Sequence, residues 1–313
     1  RDEYRMDKFQ INDDRRYQLM EHQRYADEIL TTSSTAGLLA ETLKQEFPDL
    51  QYAATTTWIE DYTLSIDDLN VKGSGWHVGK DFFQIFPFEL VHGQPGQVLE
   101  DKLAIVISLD LAKKLFGTSD DVVGKSVELQ HSQTFHVTGV FEGAPLNASL
   151  QFDFVLSFEL YKDENPWVKE WGNNGPSSYV LLTEGSDAGA FAAKIKDYIK
   201  GKDENSNVTL FLQQYSQRYL YGRYENGVQA GGRIEYVRLF PIIALFILVI
   251  ACINFMNLAT ARASGKAKEV GIKKSIGAQR LSLILQYLCE SMMVAGISFL
   301  IAGLFVWLFL PEF

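Results

Sequence analysis

Two uncharged apolar runs flanking a short basic segment constrain this chain more than any other feature. Leu239 to Ala261 gives 23 residues, LFPIIALFILVIACINFMNLATA, and Ser291 to Pro311 gives 21, SMMVAGISFLIAGLFVWLFLP. A helix rises about 1.5 Å per residue, so either run is long enough for a ~30 Å hydrocarbon core. Between them lie Arg262, Lys266, Lys268, Lys273, Lys274 and Arg280, with only Glu269 and Glu290 as acids. The pattern predicts an integral membrane protein with membrane helices at about 239–261 and 291–311, joined by a cytoplasmic coupling segment at about 262–290.

Charge by region gives the topology. Residues 1–233 hold 22 of the 29 Lys and Arg and 35 of the 39 Asp and Glu, a formal charge of −13. Residues 234–313 hold the rest and come to +3, so the mean hydropathy of −0.05 averages two unlike parts. Short loops rich in Lys and Arg stay in the cytoplasm, which places the connector inside and residues 1–233 outside. So acidic an outer domain argues against nucleic acid as a partner. Cys252 and Cys289 fall in or beside the membrane segment. The outer domain therefore depends on its core and has no disulfide framework. Exporting such a domain calls for a preceding membrane helix, and the expectation is an internal fragment of a longer, multi-pass protein of the bacterial cytoplasmic membrane.

The outer domain mixes two periodicities. Ser33, Ser34 and Thr35 precede AGLLAETLKQEF, where Leu38, Leu39, Leu43 and Phe47 fall near helical spacing and Pro48 is the stop. A short helix is expected at Asp110–Phe116, ending at Gly117, and another at Ala188–Ile199, capped by Asp187 and closed by Gly201. Strands are expected at Tyr52–Ile59, Ala104–Ser108, Thr134–Phe141, Ser178–Leu182 and Val208–Gln213. The sum is an α+β extracytoplasmic domain in two lobes, followed by transmembrane α-helices. Gly222–Arg233, GRYENGVQAGGR, reads as a polar stalk or hinge.

Catalytic signatures do not emerge. Gly124-Lys125-Ser126 imitates the end of a phosphate loop, but Ser119 stands where that loop needs Gly and VELQ reads as a strand, so a turn before a strand is favoured. The five histidines show no metal-ligand spacing. Phe82, Phe83, Phe86 and Phe88 could line a groove, although core packing is the commoner use of aromatics. Within the first apolar run, Asn254 and Asn257 sit three apart and are expected to pack against another helix. Glu290, at the edge of the second run, is expected to reach the cytoplasmic interface or to pair with a basic residue there.

The connector and its flanks, ACINFMNLATARASGKAKEVGIKKSIGAQRLSLILQYLCES (Ala251–Ser291), closely resemble the permease segment of the MacB/FtsX superfamily of ABC transporters. Its signature is Glu269-Val270-Gly271-Ile272-Lys273-Lys274-Ser275-Ile276-Gly277-Ala278, followed by Gln286 and Glu290-Ser291. DKFQINDDRRY (Asp7–Tyr17), KDFFQIFPFELVHG (Lys80–Gly93), LAKKLFG (Leu111–Gly117) and FHVTGVFEGAPLNASLQFDFVLSF (Phe135–Phe158) resemble the MacB-type periplasmic core domain. The resemblance implies two permease copies paired in the membrane, each touching a separate cytoplasmic ATPase through the connector. ATP and Mg would sit on that ATPase, with no cofactor or metal on this chain. It also implies mechanotransmission to the outer domains for export or extraction of an amphiphile, peptide, antibiotic or lipoprotein, with a membrane-fusion adaptor or outer-membrane component as a further partner.

The residues themselves fit a docking element. Glu269 and Lys273 form a favourable i,i+4 pair, supporting a short helix from about Ala267 to Ile276 at the membrane surface, with Gly277 closing it. Val270, Ile272 and Ile276 would dock, while Lys273 and Lys274 meet acids or lipid phosphates. The alternatives are an FtsX-like relay that activates a cell-wall hydrolase and a receptor without any ATPase. The large MacB-type outer domain opposes the first and the connector signature the second.

Overall fold

A computed structural model describes residues 3–8 and 12–309 and divides into two compact units, Arg1–Arg238 and Leu239–Phe313. The first unit begins with β1 (Arg16–Arg24), β2 (Ile29–Thr32), β3 (Ser34–Ala36) and α1 (Leu39–Glu46). Next come β4 (Leu50–Thr56), β5 (Glu60–Ile66), β6 (Leu69–Val78), α2 (Phe82–Ile85), β7 (Leu90–His92) and β8 (Ala104–Ser108). α3 (Leu109–Phe116) leads into β9 (Ser126–Leu129), β10 (Gln133–Phe141), β11 (Phe154–Ser157) and α4 (Phe158–Glu164). β12 (Asn174–Leu182), α5 (Ala188–Ile195), α6 (Tyr198–Lys202), β13 (Val208–Gln214) and α7 (Tyr215–Arg218) follow, then β14 (Tyr224–Glu225) and β15 (Val228–Gln229).

Pairing separates two lobes. In one, β4, β12, β1 and β13 run antiparallel in that order. α1, α5 and α6 cover this sheet, closing a core of Leu19, Leu39, Leu43, Val180, Phe191, Ile195 and Leu210. In the other, the ladder runs β6, β5, β9, β10, β8, β11 and returns to β6, closing a ring with no free edge to cap. α3 presents Leu111, Ala112 and Leu115 to Ile105, Ile107, Val137 and Phe154 of that ring. Gly75 is obligatory here, because an added Cβ would fall 2.3 Å from the buried Phe154 ring. The lobes share one register pair, Thr56 with Val78. They also share an aromatic core of Trp76, Phe82, Phe83, Phe86, Phe88, Phe141, Phe152, Tyr179 and Tyr215. The α+β fold in two lobes is therefore as expected, and the Phe82–Phe88 cluster is core.

Several local expectations change. Ser34–Ala36 is a strand paired with β12, so the first helix starts only at Leu39. The helix expected over Ala188–Ile199 breaks after Ile195, because the Lys196 carbonyl accepts the Leu210 N–H of β13 at 2.8 Å. Asp187 does cap it, accepting from the N–H groups of Gly189 and Ala190, whereas Gly201 lies inside α6 and closes nothing. Gly222–Arg233 is no open stalk. Asn226 and Gly227, at φ +53° and +79°, turn a β14–β15 hairpin, and Asn226 Oδ1 accepts the Ile29 N–H at 3.0 Å to anchor it on β2. The phosphate-loop look-alike is a turn into β9. Its Gly124 amide donates to the Val137 carbonyl at 2.7 Å and is committed to the fold.

The second unit consists of the bulk of α8 (Arg233–Ser275) and of α9 (Arg280–Phe309). Both are long and apolar enough to cross a membrane, and Leu239–Ala261 is exposed throughout, as expected of a surface solvated by lipid.

Candidate functional site

The basic connector is a helical hairpin. Glu269–Ser275 forms the last two turns of α8, so the separate short helix expected over Ala267–Ile276 is instead the continuation of the first apolar helix. Nothing in the local sequence stops it earlier. Gly265 and Gly271 are the weakest helix formers nearby, and the Glu269–Lys273 pair, 2.8 Å apart, reinforces the turn that contains Gly271. The helix ends where Gly277 adopts φ +97°. The Gly277 N–H then donates to the Lys274 carbonyl at 3.1 Å, and the Ala278 N–H donates to the Lys273 carbonyl at 3.0 Å. These bonds satisfy carbonyls that a helix end otherwise leaves bare.

α9 returns beside α8 from Arg280. Lys266 Nζ grips both oxygens of Glu290 at 2.7 and 2.8 Å and lies 5.2 Å from the Tyr287 ring centre. Lys273 Nζ donates to Gln286 Oε1 at 3.3 Å. The ion pair answers the question of Glu290: it pairs with a basic residue of the connector. Sequence inspection missed Lys266 as the partner of Glu290 and Tyr287 as the ring beside Lys266, since these residues meet only across the helical hairpin. Between the helices lies a groove of about 680 Å³, bordered by Val270, Lys274, Arg280, Leu283, Tyr287 and Glu290 among others.

The candidate docking residues lie at the hairpin end. Ile272 is 53% and Ile276 80% exposed, while Val270 and Lys273 are half-buried and Lys274 is exposed. At Gly271 an added Cβ would meet nothing within 4 Å, so the chain itself does not require a glycine there. Asn254 and Asn257 are exposed and form no side-chain hydrogen bond among the described residues. α9 does not satisfy them.

The outer unit holds a crevice of about 560 Å³ between the α1–β4 edge and α4, bordered by Glu41, Lys44, Lys80, Asp81, Glu100 and Glu159. Lys44 pairs with Asp81 inside it, and Lys162 ties α4 to α1 through Glu41 at 3.0 Å. No sequence motif marked this crevice, because its residues come from five separate segments.

A family model described as MacB-like periplasmic core domain matches residues 1–198, and a second, FtsX-like permease C-terminal, matches residues 241–313. The chain belongs to the MacB/FtsX-type permease family. The macrolide export ATP-binding/permease protein MacB of Neisseria meningitidis is 25% identical over 256 residues, covering 76% of this chain and 36% of the relative. Its counterpart in Yersinia pestis is 24% identical over 263 residues, covering 80% of this chain and 38% of the relative. The chain thus spans little more than a third of the curated relatives it matches. A crystal structure of a permease-protein domain from Porphyromonas gingivalis superposes with a TM-score of 0.56 at 23% identity, covering 66% of this chain and 93% of that domain. That likeness establishes the fold of the outer unit. Family membership makes this an inner-membrane ABC transporter permease, with an extracytoplasmic domain ahead of its apolar helices.

Proposed function

We propose that this chain couples ATP hydrolysis on a cytoplasmic ATP-binding partner to motion of its outer domain, and that the helical hairpin around Ser275–Arg280 is the docking element. The observation that carries this reading is the exposure of Ile272 and Ile276 at the end of a basic helical hairpin within the FtsX-like segment. Apolar side chains at such a tip are spare to the chain itself and suited to a groove on a partner. Glu269, Lys273 and Lys274 supply charge around them, and Gly271 leaves room for close approach. In this reading the partner supplies ATP and Mg chemistry, as a separate subunit. The relatives are named as ATP-binding/permease proteins, so the same docking could equally occur within one longer chain.

The helices would act as transmission elements more than as a pore. Within the second unit α8 continues from Leu239 to Ser275, roughly 55 Å at the helical rise. Asn254 and Asn257 would then hydrogen-bond a second permease copy, since nothing among the described residues satisfies them. The cargo we propose is an amphiphile, peptide, antibiotic or lipoprotein handled by the outer lobes, with a membrane-fusion adaptor or outer-membrane component receiving it. The MacB-like outer domain favours export over an FtsX-like relay to a cell-wall hydrolase.

Gly271→Asp and Ile276→Asp test the docking. Each should abolish co-purification of the ATP-binding partner and transport-linked ATPase stimulation while leaving membrane insertion intact. Unchanged co-purification and stimulation in both variants would refute the assignment.

A further inference from the structure

One end of the outer domain gathers exposed apolar and cationic side chains that the coupling mechanism does not use. Leu146, at the tip of the loop between β10 and β11, is 97% exposed, the extreme among the large apolar residues described. The loop is held firmly behind that tip. The Asp7 N–H donates to the Asn147 carbonyl at 2.9 Å, and the Ser149 N–H donates to Asp7 Oδ1 at 2.8 Å. Arg218 of α7 donates to Ser149 Oγ at 2.8 Å. A leucine displayed on a loop pinned just after it, at Asn147 and Ser149, is positioned to meet something.

The same contacts lead to the end of the domain. Tyr219 follows Arg218 directly, the Arg233 guanidinium stacks 4.5 Å from the Tyr219 ring centre, and the Ile234 N–H donates to the Leu220 carbonyl at 3.1 Å. Tyr4 is 44% and Tyr236 62% exposed on this connected surface. Arg5, Arg233 and Arg238 are exposed beside them, although the outer domain as a whole is strongly acidic. Among the acids on this surface, Glu235 is engaged by Arg223 at 3.4 Å and Glu3 is exposed.

We infer that this surface rests in the outer-leaflet interface of the bilayer, with Leu146 inserted among the acyl-chain segments next to the headgroups and Arg5, Arg233 and Arg238 meeting lipid phosphates. Chain continuity selects lipid as the occupant. Arg238 is followed directly by Leu239, the first residue of the apolar run, so the surface that includes Arg233–Arg238 lies where the chain enters the membrane. Tyrosines and arginines around an apolar tip are the composition that interfaces favour, with the ring or aliphatic stem in the apolar layer and the polar end at headgroup level. Guanidinium groups also form paired, charge-assisted hydrogen bonds with phosphate oxygens. The inference goes beyond the docking proposal, since it needs the outer placement of this domain but not the ATPase contact.

The test uses the full chain with Cys252→Ser and Cys289→Ser, reconstituted in vesicles of phosphatidylethanolamine and phosphatidylglycerol. An environment-sensitive fluorophore is placed at Leu146→Cys, or at Leu69→Cys at the start of β6 as the comparison site. Lipids carrying a nitroxide near the headgroup should quench the Leu146 probe by about twofold or more over the Leu69 probe, as an interfacial side chain requires. Arg5→Glu together with Arg238→Glu should reduce that quenching. Equal, weak lipid quenching at both sites would overturn the inference. Disulfide crosslinking of Leu146→Cys between two copies without lipid quenching would also overturn it and assign the surface to a second permease.

Discussion

Glu21 and His77 are buried ionisable groups whose environments oppose their charged forms. Glu21 is fully buried on β1, with one oxygen accepting from Asn174 at 2.6 Å and Gln23 at 3.2 Å and the other without a partner among the described residues. Burial pushes its carboxyl up to about 7 from 4.5. The folded protein therefore holds this proton more tightly than the unfolded chain, and stability falls as pH rises through 4.5 to 7. Glu21→Gln should raise the melting temperature of the detergent-solubilised chain at pH 8, a gain on the order of 3 kcal/mol or less, with little change at pH 4. A melting temperature equally shifted at both pH values would contradict the burial account. His77 slopes the other way. Burial lowers its imidazole to about 4 from 6.5, so the stability it contributes at neutral pH is lost as pH falls through that window, and His77→Phe should flatten the acid limb of the melting curve. At Gly75 the issue is volume. Gly75→Ala should cost about 1–3 kcal/mol in thermal or urea melts, because Phe154 is fully buried and has nowhere to go.

At the scale of elements, legibility followed how local the cause was. Ala104–Ser108 is a continuous buried run, and its strand was readable to the residue. α3 was readable for the same reason, being amphipathic and closed by Gly117. Its start depends on Ser108, whose Oγ accepts the Leu111 N–H at 3.2 Å, so Ser108→Ala should cost about 1 kcal/mol in an equilibrium melt. Where partners distant in sequence decide, the reading failed. The break after Ile195 needs β13, the strand at Ser34–Ala36 needs β12, and the hairpin at Tyr224–Gln229 needs Ile29. Its Asn226-Gly227 pair is the local signal of that turn. The connector was half legible. The Glu269–Lys273 pair and the Gly277 stop appear as expected, but the helix upstream of Ala267 has no break, because the polar stretch that follows the apolar run contains no proline. Lys266, Tyr287 and Glu290 come together only once α9 folds back.

For the molecule as a whole, the division of labour follows from solvent. The outer unit buries three apolar clusters, whereas Leu239–Ala261 stays exposed and needs lipid or neighbouring helices to cover it. The charge distribution predicts the direction, with the acidic domain outside and the basic hairpin inside. Single cysteines at Ser132 and Ser275, in a background lacking Cys252 and Cys289, should accordingly label from opposite sides of intact spheroplasts; labelling from the same side would contradict the topology. The central claim is that the hairpin end receives force from an ATP-binding partner. A photo-crosslinking amino acid at Ile276, in the full transporter purified with that partner bound, tests it most directly. The account predicts a crosslink to the ATP-binding polypeptide or domain that changes in yield when ATP is added. A complex that stays assembled and hydrolyses ATP, yet gives no crosslink from Ile276 or from Ile272, would contradict it.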